Sequence, residues 1–279
     1  MPDLPSDDFL DGLLLTAREA AEAAAAVHVE WAGRIGIPDA SWKRFADLVS
    51  EADLAAQRAA LDVIRRHRPD DAIMAEEGDA SNTALPSDSR PIWVVDPLDG
   101  TANFLHGHPM HAASVAVAIS GRVMAGAVTA SALGQRWWAR RGAGAFRDDE
   151  PIRGSGITTL EGALVGTGFP FKEPDHRAIY GDQLARVLGS GAQVRRGGAA
   201  AVDLCFLADG RFEAFWEAAL QPWDFAAGTL IVEEAGGVCD RVEGGGLDLA
   251  PGSVIAGNSR EMLNGLRECV AGDGRPESS

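Results

Sequence analysis

The chain has 279 residues, 46% of them hydrophobic, and its 25 Lys and Arg against 41 Asp and Glu leave a formal charge of −16. That apolar content excludes a disordered or fibrous chain and is enough for a sizeable core. The acidic balance excludes general binding to nucleic acid or to anionic membranes, yet it permits a small phosphorylated ligand where a divalent cation inverts the local potential.

Residues 1–8 are acidic and lack the basic start and apolar run of a secretion leader. No uncharged apolar stretch of about 18 residues follows, so a cytoplasmic chain without a membrane span is expected. Cys205, Cys239 and Cys269 are odd in number and widely spaced, which fits a reducing compartment better than a disulfide framework or a zinc cluster.

An Ala-rich segment with helical spacing predicts a long helix over 8–33, stopping before Pro38. Ser50 is a suitable N-cap for a second helix over 50–67, with Pro69 beyond its end. A short strand at 72–75 leads into Glu76-Glu77, and 78–90 reads as a loop. Ile92-Trp93-Val94-Val95 is a continuous apolar run, consistent with a buried strand. Residues 113–119 and 123–129 form a hairpin through Ser120-Gly121, and 135–139 with 144–146 form another.

After about Pro151 strands and helices alternate. Strands are expected near 163–167, 192–195, 212–217, 237–240 and 253–257, and helices near 176–188, 198–208, 224–235 and 259–269. The pattern predicts an α+β unit over 1–152, an α/β unit over 153–271 and a disordered tail over 272–279.

Chemistry concentrates in Asp96-Pro97-Leu98-Asp99-Gly100-Thr101, where an apolar strand delivers two carboxylates three residues apart into a tight turn. Two acids at the end of a buried strand repel each other and resist desolvation unless a cation holds them. Oxygen ligands favour Mg²⁺, Mn²⁺ or Ca²⁺ over zinc. Taken alone, such a turn is as readily a solvated surface feature. Glu76 and Glu77 at the preceding strand end, and Asp224 in the first turn of a later helix, offer further acids. Asp224 and Asp53 each also read as a plain acid at a helix N-terminus.

These residues carry a resemblance. Asp96-Pro97-Leu98-Asp99-Gly100-Thr101 resembles the D-P-[IL]-D-G-T signature of the inositol monophosphatase family, and Trp223-Asp224 through Glu234-Ala235-Gly236-Gly237 resembles its second signature, W-D-x-A-A-G…E-A-G-G. Glu76-Glu77 lies where the family has G-E-E, 20 residues before Asp96, and the segment from Asp47 to Asp53 resembles its D-L-V-T-x-x-D. The likeness runs from about residue 10 to 270. It departs at Ala52, Ala75 and Ala102, none of which removes a side-chain ligand.

The resemblance implies a layered αβαβα sandwich of the α+β class, a homodimer, and Mg²⁺-dependent hydrolysis of phosphate monoesters, with Mn²⁺ as a substitute and Li⁺ as an inhibitor. Carried over, Glu76, Asp96 and the carbonyl of Leu98 hold one metal, and Asp96, Asp99 and Asp224 a second, with a third beside Glu76. Asp53 and Thr101 orient the attacking water. The N–H groups of Gly100 and Thr101 suit a phosphate oxygen. Direct attack by water is expected, without a phosphoenzyme.

For the ester itself, Gly198 and Ala199 resemble the segment that meets the sugar. Glu217, seven residues before Asp224, lies where inositol-processing relatives keep an acceptor for substrate hydroxyls. A carboxylate there suits a polyol or an amino alcohol, and it also reads as merely solvated. Trp137-Trp138 resembles double-Trp stretches of histidinol-phosphatases, although one Trp packing in a hairpin core and the other shielding an edge explains it better. Gly166-Thr167-Gly168-Phe169-Pro170-Phe171 resembles the T-G-F-P segment of bacterial inositol monophosphatases and favours inositol phosphate.

Histidinol-phosphatase is the alternative. Fructose-1,6-bisphosphatase and 3′-phosphonucleotide phosphatase rank lower, and a regulatory binding protein on the same fold is the reading from a different class. His106-Gly107-His108-Pro109-Met110-His111 as a metal tract, Ser155 as a nucleophile and Arg195-Arg196 as an anion funnel are each set aside as local or surface features.

Overall fold

A computed structural model describes residues 5–44, 47–78, 89–169 and 176–271. The expected tail and residues 79–88 of the expected loop lie outside them.

Two helices, α1 (Asp7–Trp31) and α2 (Glu51–His67), start the chain, with Ser6 and Ser50 as their N-caps. Between them a small hairpin, which the sequence pattern does not predict, pairs β1 (Ser41–Arg44) with β2 (Asp47–Val49). Ala17, Ala20, Ala21 and Ala24 line one face of α1 at helical spacing and are fully buried. Their small side chains let α1 lie close against α2 and the sheet beneath.

That sheet has seven strands in sequence order: β3 (Ala72–Ala75), β4 (Ile92–Asp99), β5 (Ala112–Ile119), β6 (Arg122–Ala130), β7 (Gln135–Arg140), β8 (Gly144–Arg147) and β9 (Glu150–Pro151). Only the β3–β4 pair is parallel. A short helix, α3 (Thr101–Leu105), follows β4.

The second half forms a five-stranded sheet of order β11-β10-β12-β14-β13, from β10 (Leu164–Thr167), β11 (Gln193–Arg195), β12 (Ala214–Leu220), β13 (Val238–Asp240) and β14 (Gly252–Gly257). Helices α5 (Ala200–Ala208) and α6 (Pro222–Glu234) fill the space between the sheets, sharing one core with Trp137 of the first and Phe215 of the second. Helices α4 (His176–Gly189) and α7 (Arg260–Ala271) cover the outer face around Tyr180, Trp216 and Leu263. The layers therefore run helix, sheet, helix, sheet, helix, which is the expected αβαβα sandwich. Among the described residues, no helix is long and apolar enough to cross a membrane.

The helix expected from 198 starts at Ala200, because Gly198 is left-handed at φ 87° and Ala199 is extended. The strand expected to end at 217 continues to Leu220 across an irregularity between Glu217 and Leu220.

Candidate active site

Residues three apart on a regular strand face opposite sides of a sheet. On β4, Asp96 pairs with Ser114 while Asp99 pairs with Ala112, so three steps on β4 match two on β5. This bulge inserts one extra residue and turns both carboxylates to the same face. Pro97, which has no N–H to give a ladder, sits inside it. Gly100 then ends the strand at φ 87°, where a Cβ would stand 2.8 Å from the Met110 carbonyl oxygen and 3.3 Å from Ala199 Cβ. Asn103 Nδ2 ties the turn to the second half, donating to Met110 O at 2.5 Å and to Gly197 O at 3.0 Å.

Parallel pairing brings the next acid alongside. The Glu76 N–H donates to Val95 O at 3.1 Å, which seats Glu76 beside Asp96 at the end of β3. Glu77 has its backbone held by Gln57 of α2 instead, through bonds of 2.9 and 3.0 Å.

Asp224 is the third residue of α6 and accepts from the Gln221 N–H at 2.7 Å, closing the helix start. Ser114, the strand partner of Asp96, donates its hydroxyl to Trp223 O at 3.3 Å, so the same face that carries Asp96 meets the first turn of α6. The small residues of the second signature serve this docking. A Cβ on Gly126 would lie 3.0 Å from Ala227 Cα, and one on Gly228 would lie 2.8 Å from Leu204. Asp99 reaches the neighbouring helix, accepting from the Ala201 N–H at 2.8 Å.

Asp53 joins from α2. Its Oδ2 accepts from the Ser50 N–H at 2.8 Å and the Ser50 hydroxyl at 2.6 Å, while Oδ1 accepts from the Thr101 hydroxyl at 2.7 Å. The Thr101 oxygen also lies 3.2 Å from Leu98 O, but its single hydrogen takes the shorter path to the carboxylate. Asp53 is fully buried, and burial pushes its carboxyl up while the Ser50 and Thr101 hydrogen bonds pull it back.

The acids charge one another. Burial first, then Glu76, Asp99 and Asp224, push the Asp96 carboxyl well above the usual carboxylate range, and Asp96 shares a hydrogen bond with Glu76. Burial and Asp224 push Asp99 up likewise, against the Ala201 N–H, which favours its charged form. Among the described residues, no three His, Cys, Asp or Glu side chains are already closed into a ligand cluster. Asp96, Asp99 and Asp224 each tie an oxygen to a backbone N–H. The donors are nevertheless carboxylates without His or Cys, crowded where a proton must otherwise be held. That chemistry fits a hard divalent cation, which relieves the same repulsion.

At the far end, Glu217 is half-buried and leans on Gly168, where any Cβ would overlap its carboxyl group. Burial, then Asp203, Asp224 and Asp99, push Glu217 well above its ordinary value. Asp203 lies inside α5, where burial raises it to about 8 against a Gly197 backbone hydrogen bond and Arg196. Gly198 and Ala199 pass directly over Gly100. The expected residues Asp53, Glu76, Asp96, Leu98, Asp99, Gly100, Thr101, Gly198, Ala199, Glu217 and Asp224 are thus linked by these contacts and by their mutual electrostatics.

Two residues at the site lie outside every motif named above. Asp203 carried a signal, being the only charge in the apolar helix Ala200–Ala208. His28, buried in α1 and 2.8 Å from Pro97 O, carried none.

The double Trp needs correcting. Neither Trp shields an edge: β7 lies between β6 and β8, Trp137 is fully buried toward α5 and α6, and Trp138 is buried toward α1 with Arg18 over its ring at 3.7 Å. Successive residues of an interior strand point to opposite faces, and both faces here are covered. Ser155 donates to Glu213 at 2.8 Å, and His106 lies 2.7 Å from Ala102 O, so both serve local structure.

The model of the inositol monophosphatase family matches residues 11–271. The chain is 40% identical over 230 residues to the inositol-1-monophosphatase of Rhizobium meliloti, covering 82% of this chain and 85% of that protein. It is 38% identical over 251 residues to the Nus factor SuhB of Pseudomonas aeruginosa, covering 89% and 92%. In structure it resembles the extragenic suppressor protein suhB of Bartonella henselae, with a TM-score of 0.83 and 34% identity, covering 92% of this chain and 98% of that one.

Proposed function

Because this chain belongs to the inositol monophosphatase family, and is a phosphomonoester hydrolase accordingly, we propose that it hydrolyses inositol phosphate with Mg²⁺. The observation that carries the reading is the bulge of β4, which turns Asp96 and Asp99 to one face beside Glu76 and Asp224. In this proposal Glu76, Asp96 and the Leu98 carbonyl hold one cation, and Asp96, Asp99 and Asp224 another, with a third beside Glu76; Mn²⁺ substitutes. When bound, such cations offset the charge of the phosphoryl group and leaving oxygen and make water acidic enough to attack at neutral pH.

The chain's own residues do the rest. The N–H groups of Gly100 and Thr101 hold a phosphate oxygen. Thr101, with its hydrogen given to Asp53, keeps lone pairs for the proton of the attacking water, and Asp53 Oδ1 is the acceptor behind it. Gly198, Ala199 and Glu217 hold the polyol. A homodimer and sensitivity to Li⁺ rest on the family resemblance alone, and a cytoplasmic setting on the odd, widely spaced cysteines Cys205, Cys239 and Cys269.

The name Nus factor SuhB on similar proteins favours a second reading, a regulatory binding protein that keeps this fold. The complete set Asp53, Glu76, Asp96, Asp99, Thr101 and Asp224 weighs against binding alone, since a binder has no need of every acid.

Phosphate release from inositol 1-phosphate, histidinol phosphate, fructose 1,6-bisphosphate and a 3′-phosphonucleotide tests the substrate. A preference of about a hundredfold in kcat/KM, ~2.7 kcal/mol, decides it. Inositol phosphate is expected to lead. Release from none of them, or full release in excess chelator, overturns the proposal. Retained biological activity in a hydrolysis-dead Asp99→Asn variant favours the binding role.

A further inference from the structure

Besides the hydrogen bond it shares with Glu76, Asp96 is held by one peptide group whose two polar atoms are both engaged. The Leu98 N–H donates to Asp96 Oδ1 at 3.0 Å. At the other end of that peptide, Pro97 O lies 2.8 Å from Nε2 of His28. Both residues of the peptide fall inside the bulge, where neither Pro97 nor Leu98 has a register partner on β5. The sheet ladder that fixes peptide planes elsewhere on β4 is interrupted where the acids must be aimed.

His28 is in the last turn of α1 and fully buried. Burial lowers its pKa to about 4, so the ring is neutral at pH 7. Facing a carbonyl, Nε2 must carry the proton, which leaves Nδ1 a bare acceptor, and among the described residues it has no hydrogen-bond partner. The ring is wedged against His111 at 5.6 Å and Phe104 at 6.0 Å between centroids. Packing alone gives no reason for an imidazole here, since an apolar side chain would fill the space without burying an unpaired nitrogen.

We infer that His28 is a positioning residue for Asp96: its Nε2–H pins the Pro97 carbonyl, and the peptide plane so fixed presents the Leu98 N–H that orients the Asp96 carboxylate for a divalent cation. A hydrogen bond accepted at the carbonyl also polarises the amide and strengthens the one its N–H donates, so the two act together. The inference rests on the proposal that Asp96 holds metal.

Direct Mn²⁺ titration of the full-length protein, followed by electron paramagnetic resonance, tests it with three variants. His28→Leu removes the donor at similar volume and is expected to weaken Mn²⁺ binding about tenfold, the usual scale for a group behind a ligand. His28→Gln keeps an N–H and is expected to recover most of that loss. Unchanged affinity in His28→Leu, or equal loss in both variants, overturns the inference. Asp96→Asn separates the two layers: if it binds Mn²⁺ as the unaltered protein does, the metal proposal itself has failed. If His28→Leu does not fold, the ¹⁵N-histidine spectrum of the unaltered protein decides. The Nε2–H tautomer at pH 7 is expected, and the Nδ1–H tautomer overturns the inference.

Discussion

Thr101 and Asp53 stand 48 residues apart in the chain and 2.7 Å apart in space, with the threonine hydroxyl donating to the carboxylate. The other oxygen of Asp53 caps α2 through Ser50, so the helix cap and the bond to Thr101 share one side chain. The two uses separate by mutation. Thr101→Val keeps the shape and the α2 cap but removes the hydroxyl. It is expected to lower kcat about 10²-fold or more with KM and melting temperature little changed, as for loss of a positioned proton-transfer group. Asp53→Ala is expected to lower kcat similarly and to cost about 1 kcal/mol of stability as well, through the lost cap. Steady-state kinetics and a denaturant titration on both variants check this. A Thr101→Val enzyme with normal kcat removes the pair from the mechanism.

Gly168 is where Glu217 is held in place. No side chain fits at residue 168 while the Glu217 carboxyl lies against its Cα. Gly168→Ala is therefore expected to swing Glu217 aside and to mimic Glu217→Ala, raising KM for inositol 1-phosphate about tenfold, the scale of one lost hydrogen bond. Divalent affinity stays unchanged. If KM is unmoved in both variants, Glu217 does not touch the substrate.

Trp137 sits in the core with its indole N–H donating to Asp209 Oδ2 at 3.0 Å, where Arg147 and Arg211 also reach that oxygen. Trp137→Phe is expected to cost roughly 1–2 kcal/mol of stability from the lost hydrogen bond and volume. The ratio of kcat/KM between inositol 1-phosphate and histidinol phosphate should not change. A shift of that ratio by tenfold would return the double Trp to the substrate pocket.

How much of this was legible in the sequence differs element by element. The helices and strands came out within a few residues because Ala spacing in α1, the cap at Ser50 and the apolar run of β4 are local signals. The hairpin of β1 and β2 was missed because Ser41-Trp42-Lys43-Arg44 has no apolar alternation. At the site, Asp96 and Asp99 were readable as a pair, but their spacing of three predicts opposite faces. Only the bulge, a property of the pairing with β5, reconciles them. His28 was invisible because its meaning depends entirely on Pro97, 69 residues away. Asp203 carries no motif of its own, yet its charge inside an apolar helix was a readable anomaly.

The buried acids and histidines give stability a pH profile whose sign is fixed by their shifts. Asp203 is raised from 3.8 to about 8, and Asp96, Asp99 and Glu217 are also raised, all chiefly by burial. The folded state therefore holds protons that the unfolded chain has lost, and stability falls as pH rises toward 8. His28 and His111 are lowered from 6.5 to about 4, so their contribution is present above 6.5 and is lost as pH falls toward 4. The two sets oppose each other below pH 6.5, and only the acids act above it. In chelator, thermal unfolding is thus expected to show falling stability between pH 6.5 and 8, by at most ~1.4 kcal/mol per pH unit for each proton released. Excess Mg²⁺ should flatten this fall in part, because cations replace protons on Asp96 and Asp99 but not on Asp203. Asp203→Asn keeps an acceptor for the Gly197 N–H and should remove much of the remainder. A stability that rises from pH 6.5 to 8 in chelator would mean the acids are already charged in the folded protein, with their repulsion relieved by something other than a proton or a divalent cation.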